Sequence, residues 1–336
     1  MTSSAQKGTI FSGMRPTGLL HLGNYLGALQ NWVALQKEYR CIYCVVAIHA
    51  LTTVEGAADV AEIKPNIQDM VLDWLAAGID PEQSLVFVQS QVPEVMTLHT
   101  LLSMVTPLGW LLRVPSFKEK VRQMDETEES VNYGLVGYPV LQTADIILYK
   151  ADTVPVGKDQ VPHLELAREI VRRFNNHYGE TFPEPQAKLT EDPLILGLDG
   201  KNKMSKSLDN HLELAATPEE TAKRVATAFT DPQRVRRDIP GRPEVCNVYS
   251  LHKILSPPSD VPTIYDECTT AARGCVDCKR HLAASINSYL EPFRERRRQY
   301  EARPGIVQEV LEDGAKRARA IAQETIEEVY QKMGLA

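Results

Sequence analysis

The 336-residue chain predicts an α/β fold: a doubly wound parallel sheet followed by a helical C-terminal domain. Three observations predict it. Short apolar runs alternate with helix-period stretches over the first ~90 residues. The segments richest in ligand-binding residue types follow those runs directly, where such sheets hold their ligands. Beyond about residue 210 the apolar runs stop and helical segments dominate.

Residues 8–13 read as a short buried strand ending at Gly13. Residues 21–38 read as a helix, because Leu22, Leu26, Leu29, Val33 and Leu35 recur at near-helical spacing. Residues 41–48 are a second buried strand, residues 57–77 a helix stopped by Gly78, and residues 84–89 a third strand. Residues 90–137 form a helical insertion with an acidic turn at Asp125–Glu129. A helix begun by Pro139 is expected over 138–150, a strand over Thr153–Val156, and a helix over 159–178. This order makes residues 1–208 a Rossmann-like α/β domain. Residues 209–303 read as a helical domain, and residues 304–336 as a long helix with Pro304 in its first turn. Ile306, Val310, Ala318, Ile321 and Val329 mark that helix's inner face, expected to pack back on the α/β domain.

Hydrophobic residues make up 43% and charged residues 24%, as in water-soluble globular chains. No apolar run reaches the ~18–20 residues of a membrane span, and residues 1–7 lack the apolar core of a signal peptide. A cytoplasmic location is therefore expected. The net charge of -7 excludes wholesale coating of nucleic acid, so any RNA contact needs a local basic patch.

Two segments about 180 residues apart carry the chemistry. The first is Ser12-Gly13-Met14-Arg15-Pro16-Thr17-Gly18, continuing through Leu19 and Leu20 to His21-Leu22-Gly23-Asn24. Gly13 allows close approach of a flat ring or a phosphate. His21 and Asn24 lie about one turn apart at a helix start, where free N–H groups favour anions. The second is Lys203-Met204-Ser205-Lys206-Ser207, a loop with two ammonium groups. Alone, one would pass for a helix cap and the other for a solvated loop. Together they describe a grip on a nucleoside triphosphate from two sides, without a Walker loop.

Four cysteines fall in one stretch, spaced Cys246-x21-Cys268-x6-Cys275-x2-Cys278. In a reducing compartment such a set points to metal binding rather than disulfides. Four thiolates with one C-x2-C pair suit zinc or a [4Fe–4S] cluster.

These segments resemble the class I aminoacyl-tRNA synthetases, and among them the tryptophanyl branch. His21–Asn24 is similar to the His-Ile-Gly-His signature, with Leu and Asn variants, and Lys203–Ser207 is identical to the Lys-Met-Ser-Lys-Ser signature. Val154-Pro155-Val156-Gly157-Lys158-Asp159-Gln160 is similar to the branch's later strand-to-helix motif. The resemblance implies ATP-dependent activation of L-tryptophan and its transfer to tRNA(Trp). Catalysis is then expected from His21, Asn24, Lys203, Lys206 and Lys118, with Lys120 as the rival of Lys118. ATP contacts are implied at Arg15, Thr17, Gly18, Gly23, Gly157, Asp159, Gln160, Met204, Ser205 and Ser207, with Mg2+ bridging the phosphates. The tryptophan pocket is implied at Phe11, Gly13, His49, Tyr138, Gln142, Asp145, Val154, Val156 and Gln160. In it Asp145 accepts the indole N–H, Phe11 and the valines sleeve the ring, and Tyr138 and Gln160 hold the amino group. Two departures touch pocket details: Ala47-Ile48 stands where relatives carry a polar pair, and Gln142 where an apolar residue is common.

The cysteine spacing resembles that of the branch's iron–sulfur subset, which implies a [4Fe–4S] cluster, with zinc as the alternative. The helical domain resembles an anticodon-binding domain, so Arg273, Lys279, Arg280, Arg294, Arg296, Arg297 and Arg298 are expected to meet RNA. A homodimer is implied, with the 90–137 insertion at its interface. A tyrosyl-tRNA synthetase-like enzyme and a nucleotidyltransferase without tRNA are the competing readings.

Overall fold

The computed structural model describes residues 7–52, 56–123, 127, 130–189 and 195–336, apart from the side chains of Ser116, Gln123 and Asp159. Of the acidic turn expected at Asp125–Glu129, only Thr127 lies among them. Five strands, β1 (Thr9–Met14), β2 (Arg40–Val45), β3 (Ser84–Val88), β4 (Thr153–Val156) and β5 (Gln186–Leu189), form one parallel sheet in the order β3-β2-β1-β4-β5. Every residue of β3 and all but Arg40 of β2 are buried, as expected of strands covered on both faces. The strand order reverses between β1 and β4, which pair at Ile10–Thr153. Such a switch point opens a crevice at the carboxyl ends of the strands. β5 escaped the sequence reading, because Gln186-Ala187-Lys188-Leu189 is largely exposed and shows no apolar run. An edge strand needs little more than backbone pairing, here to β4.

The first helix departs from the expected straight segment over 21–38. Helix α1 (Leu22–Asn24) runs through a π-helical turn (Tyr25–Leu29) into α2 (Gln30–Leu35). Its buried face carries Leu22, Leu26, Leu29, Trp32 and Leu35. Trp32 stacks on Tyr43 of β2, with ring centroids 4.6 Å apart. A short helix α3 (Ala47–Ala50) follows β2, so His49 sits on a helical turn. Helix α4 (Ala57–Ala77) ends where Gly78 adopts a left-handed φ of 113°, as the sequence predicts.

The 90–137 stretch holds α5 (Glu94–Ser103), α6 (Leu108–Leu111) and α7 (Pro115–Gln123). Helix α8 (Tyr133–Ile147) begins before the residues expected to start it. Asn132 caps it by accepting from Leu135 N at 2.9 Å, and Pro139 lies inside, where it costs one helical hydrogen bond. Helix α9 (Val161–Tyr178) follows β4 through a turn at Lys158–Gln160.

The C-terminal part is helical: α10 (Pro218–Ala226), α11 (Asn247–Leu255), α12 (Asp260–Thr269), α13 (Cys275–Glu301) and α14 (Ile306–Met333). Pro304 stands just outside α14, whose cap is Gly305 at φ 87°. Val310, Ala318 and Val329 are buried on α14, and Ile306 and Ile321 half-buried. The helix packs on β3 and α5. At Gly314 the approach is so close that a Cβ would collide with the Val86 carbonyl oxygen.

The arginines of α13 correct an expectation. Arg294 and Arg297 are only 5% and 7% exposed. Arg297 pairs with Asp73 and, at 2.6 Å, with Asp69, both on α4. Arg296 donates to the Ala76 carbonyl at 2.6 Å, and Arg294 to Thr221 Oγ1 at 2.8 Å. These three fasten α13 to its neighbours and do not face RNA. A helix that must bury one face draws long guanidinium stems inward when buried acceptors await them. Arg298 does point outward, bound to Glu291 and Glu295 at 2.8 and 2.6 Å.

Candidate active site

Beyond the Ile10–Thr153 pair, Phe11–Arg15 and Val154–Gly157 both line an open cleft of ≈ 1310 Å³. Gly13 is required there, since a Cβ would lie 2.7 Å from Val46 Cγ1. The chain turns through Gly18, at a left-handed φ of 125°, and reaches His21 in extended conformation. His21 N–H donates to Asn24 Oδ1 at 3.0 Å, and Asn24 N–H returns to the His21 carbonyl at 2.8 Å. The imidazole lies over Gly23, where a Cβ would sit 3.1 Å from the ring. Burial, then His211, Lys206 and Lys203, push its pKa down to about 4. His21 is thus neutral near pH 7 and offers the cleft a hydrogen bond without a positive charge. Its Nδ1 is buried with no partner among the described residues.

The second signature is fastened to the first by backbone. Leu22 N–H donates to the Leu212 carbonyl at 2.8 Å, and Leu214 N–H to that of Leu20 at 3.0 Å. Asn210 organises the lysine loop: it accepts from Ser205 N–H at 2.8 Å and donates to Asp199 at 3.0 Å. Met204 is buried against Gly23, Lys203 is exposed at the cleft, and the Lys206 ammonium lies where a Cβ of Gly18 would be. Burial lowers the Lys206 pKa, opposed by Glu213, Asp69 and Asp73.

Asp145 of α8 is 3% exposed and also lines the cleft. His49 Nε2 donates to its Oδ2 at 3.0 Å. Gln89 Nε2 reaches Oδ1 and Oδ2 at 2.9 and 2.8 Å. Gln89 is held in turn, its Oε1 accepting from Ile48 N–H at 2.9 Å. A buried carboxylate is thus anchored by three contacts, with acceptor capacity left on Oδ1. Tyr138 hydrogen-bonds His163 Nε2 at 2.6 Å, and the Lys120 ammonium stands 4.4 Å from the Tyr138 ring centroid.

Residues 3–291 match the family described as tRNA synthetases class I (W and Y). The chain is 46% identical to the tryptophan–tRNA ligase of Thermotoga maritima, covering 97% of this chain and 99% of the relative. It is 45% identical to that of Deinococcus radiodurans, covering 97% and 98%. This chain belongs to the class I tRNA synthetases of the tryptophan and tyrosine family. Among solved structures it resembles the Campylobacter jejuni tryptophanyl-tRNA synthetase complexed with ADP and tryptophan. The TM-score is 0.88, at 34% identity over 97% of this chain and 100% of that one. The Archaeoglobus fulgidus tyrosyl-tRNA synthetase shares the fold alone, with TM-score 0.64 and 20% identity over 86% of this chain and 90% of that one.

In this synthetase most of the expected site residues meet. Phe11, Gly13, Arg15, His21, Gly23, Asn24, His49, Tyr138, Gln142, Asp145, Val154, Val156, Gly157, Gln160, Lys203 and Met204 all line the cleft. Thr17, Gly18, Ser205, Lys206 and Ser207 stand beside the lining rather than in it, and the Asp159 side chain lies outside the described residues. Between the rival lysines, the structure puts Lys120 in the cleft wall and leaves Lys118 exposed outside it. Burial, then Arg15, lowers the Lys120 pKa. Sequence reasoning missed Gln89, although it directly follows β3, as ligand-side residues of such sheets do. His163 was also missed, since one His within an amphipathic helix gives no signal.

Cys246, Cys268, Cys275 and Cys278 are free thiols around one small cavity of ≈ 20 Å³, with Arg234 and Arg273 beside them. Among the described residues, no three His, Cys, Asp or Glu side chains are arranged to hold a metal ion. Burial, then the neighbouring Cys246, pushes the Cys278 pKa up to about 12, so Cys278 stands as a protonated thiol.

Proposed function

We propose that the cleft carries out tryptophan–tRNA ligation in two steps, with the following division of labour. The tryptophan carboxylate oxygen attacks the α-phosphorus of ATP, the bond to the β-phosphate oxygen breaks, and pyrophosphate leaves. The terminal ribose hydroxyl of tRNA(Trp) then attacks the adenylate carbonyl, and AMP leaves. Neither step needs a protein nucleophile; positioning and charge stabilisation suffice. The reaction rests on full-length kinship with tryptophan–tRNA ligases.

Lys203, Lys206 and Lys120 supply positive charge for the departing pyrophosphate, and neutral His21 and Asn24, beside the lysine loop, donate hydrogen bonds to the phosphates. ATP enters as its Mg2+ complex. Among the described residues Asp145 is the only carboxylate lining the cleft, and it is occupied by His49 and Gln89. Mg2+ would offset the phosphate charge that the lysines and His21 also meet. Asp145 selects the indole, because an acceptor buried at the pocket floor goes unpaired with any side chain lacking that donor. Phe11, Val154 and Val156 sleeve the ring. The decisive experiment is ATP–pyrophosphate exchange with each of the twenty amino acids. Tryptophan alone should drive it, and exchange driven by tyrosine would overturn the reading.

The four cysteines are assigned to a [4Fe–4S] cluster, with zinc as the alternative. Their number, thiol character and convergence on one cavity fit a thiolate-held group, provided the side chains turn inward and deprotonate. Its contribution would be structural. Visible absorption with metal analysis of anaerobically purified protein tests this: iron with a broad visible band supports the cluster, zinc the alternative, and neither metal overturns both. The chain is proposed to dimerise through α5, α6 and the start of α8, where Met104, Leu108 and Tyr133 are 71%, 60% and 63% exposed. Sedimentation equilibrium showing a monomer would refute it.

A further inference from the structure

We infer that the loop from Asp231 to Arg242 is a docking surface for the tRNA substrate, with Arg236 and Arg237 meeting phosphates and Val235 meeting a base. The inference rests on the ligase reading. Val235 is 79% exposed, the most exposed large hydrophobic among the described residues. A solvent-facing valine between arginines is unremarkable on a mobile tail, but this loop is stapled. At its base Asp231, 6% exposed, accepts from Arg242 Nη2 at 2.6 Å and Nε at 3.1 Å, and from Gln233 N–H at 3.0 Å. In its middle Arg234 donates to the Arg237 carbonyl at 3.0 Å and reaches across to the Arg273 carbonyl at 2.8 Å. One arginine is thus spent on holding the loop while the two that follow point outward.

Those two are available to an anion. Arg237 forms no ion pair among the described residues. Arg236 meets Asp238 at 3.4 Å, with both side chains 72% exposed. Such a pair is worth little and exchanges readily for a phosphate. On a chain of net charge -7, an outward guanidinium pair beside an exposed apolar side chain fits a polyanion that also presents unstacked bases. A tRNA loop has both properties, and tRNA is the polyanionic substrate of the proposed reaction. Arg294, Arg296 and Arg297 turn inward, and the outward Arg280 and Arg298 are each tied to acidic residues of their own helix, so this loop presents the guanidinium pair most open to a new anion.

The test uses the full-length protein and a tRNA(Trp) transcript. R236Q/R237Q should raise KM for tRNA about 10-fold or more and flatten the salt dependence of log kcat/KM by roughly one to two units of slope. Tryptophan-dependent pyrophosphate exchange should stay unchanged. R236K/R237K should recover much of the charging, and Val235→Ser should raise KM without changing the salt slope. A tRNA KM within twofold of the unaltered protein would overturn the assignment. So would a proportional fall in exchange and charging, which would make the loop a structural element only. If the unaltered protein exchanges pyrophosphate with tryptophan while the variants charge normally, the loop assignment falls and the ligase reading stands.

Discussion

Replacing Asp145 with Asn changes almost no volume, yet it should cost this synthetase most of its hold on tryptophan. The carboxylate accepts from Gln89 on both oxygens, at 2.9 and 2.8 Å, and from His49 on Oδ2, at 3.0 Å. That leaves room on Oδ1 for one more donor, the position assigned to the indole N–H. An Asn amide group must point its N–H2 at either Gln89 Nε2 or His49 Nε2, donor against donor. Gln89 cannot flip in response, because its Oε1 already accepts from Ile48 and His49 N–H at 2.9 and 3.4 Å. Loss of a hydrogen bond to a charged acceptor is worth about 1.5–3 kcal/mol. That corresponds to roughly a 10- to 150-fold fall in kcat/KM for tryptophan. The assay is ATP–pyrophosphate exchange against tryptophan and phenylalanine, with the thermal midpoint recorded for each variant. Discrimination against phenylalanine should shrink together with the tryptophan rate. A folded Asn variant with tryptophan kcat/KM within about threefold, and an unaltered ratio, would remove Asp145 as the indole acceptor.

Lys120→Ala should lower pyrophosphate exchange about 10-fold or more, whereas Lys118→Ala, outside the cleft wall, should leave it within about twofold; the opposite order would reverse the choice. Gly314→Ala forces a Cβ into the Val86 carbonyl. It should destabilise by about 1–3 kcal/mol or more in urea unfolding, and an unchanged midpoint would show that α14 can lift from β3 freely. Burial holds down at about 4, from an ordinary 6.5, both His21 and His252, a fully buried histidine of α11 whose Nδ1 lies 2.7 Å from Ser256 Oγ. Below pH 6.5 the unfolded chain therefore binds protons that the folded chain refuses. Stability should fall as pH drops from about 6.5 towards 4 and then cease to fall on their account. A thermal midpoint constant between pH 7 and 4.5 would contradict this.

What the sequence determined by itself was whatever is local or periodic. Strands β2 and β3 are nearly continuous apolar runs, β1 is a short buried segment closed by a glycine, and Gly78 stops α4, so these elements were legible without any partner. The two signatures were legible because each is a run of neighbouring residues in one segment of chain. The competing lysines, the inward turn of Arg294, Arg296 and Arg297, the start of α8 and the existence of β5 were decided by contacts across the fold. Lys118 and Lys120 carry the same charge two positions apart, and only the placement of Tyr138 and Arg15 distinguishes them. The α13 arginines resemble a solvated basic run until Asp69 and Asp73 of α4 are brought against them. Gln89 becomes a site residue only when β3 sets it beside Asp145. Charge and hydrogen bonding act through space over a few ångströms, so a sequence can name the donors and acceptors, but the chain must fold before they are paired.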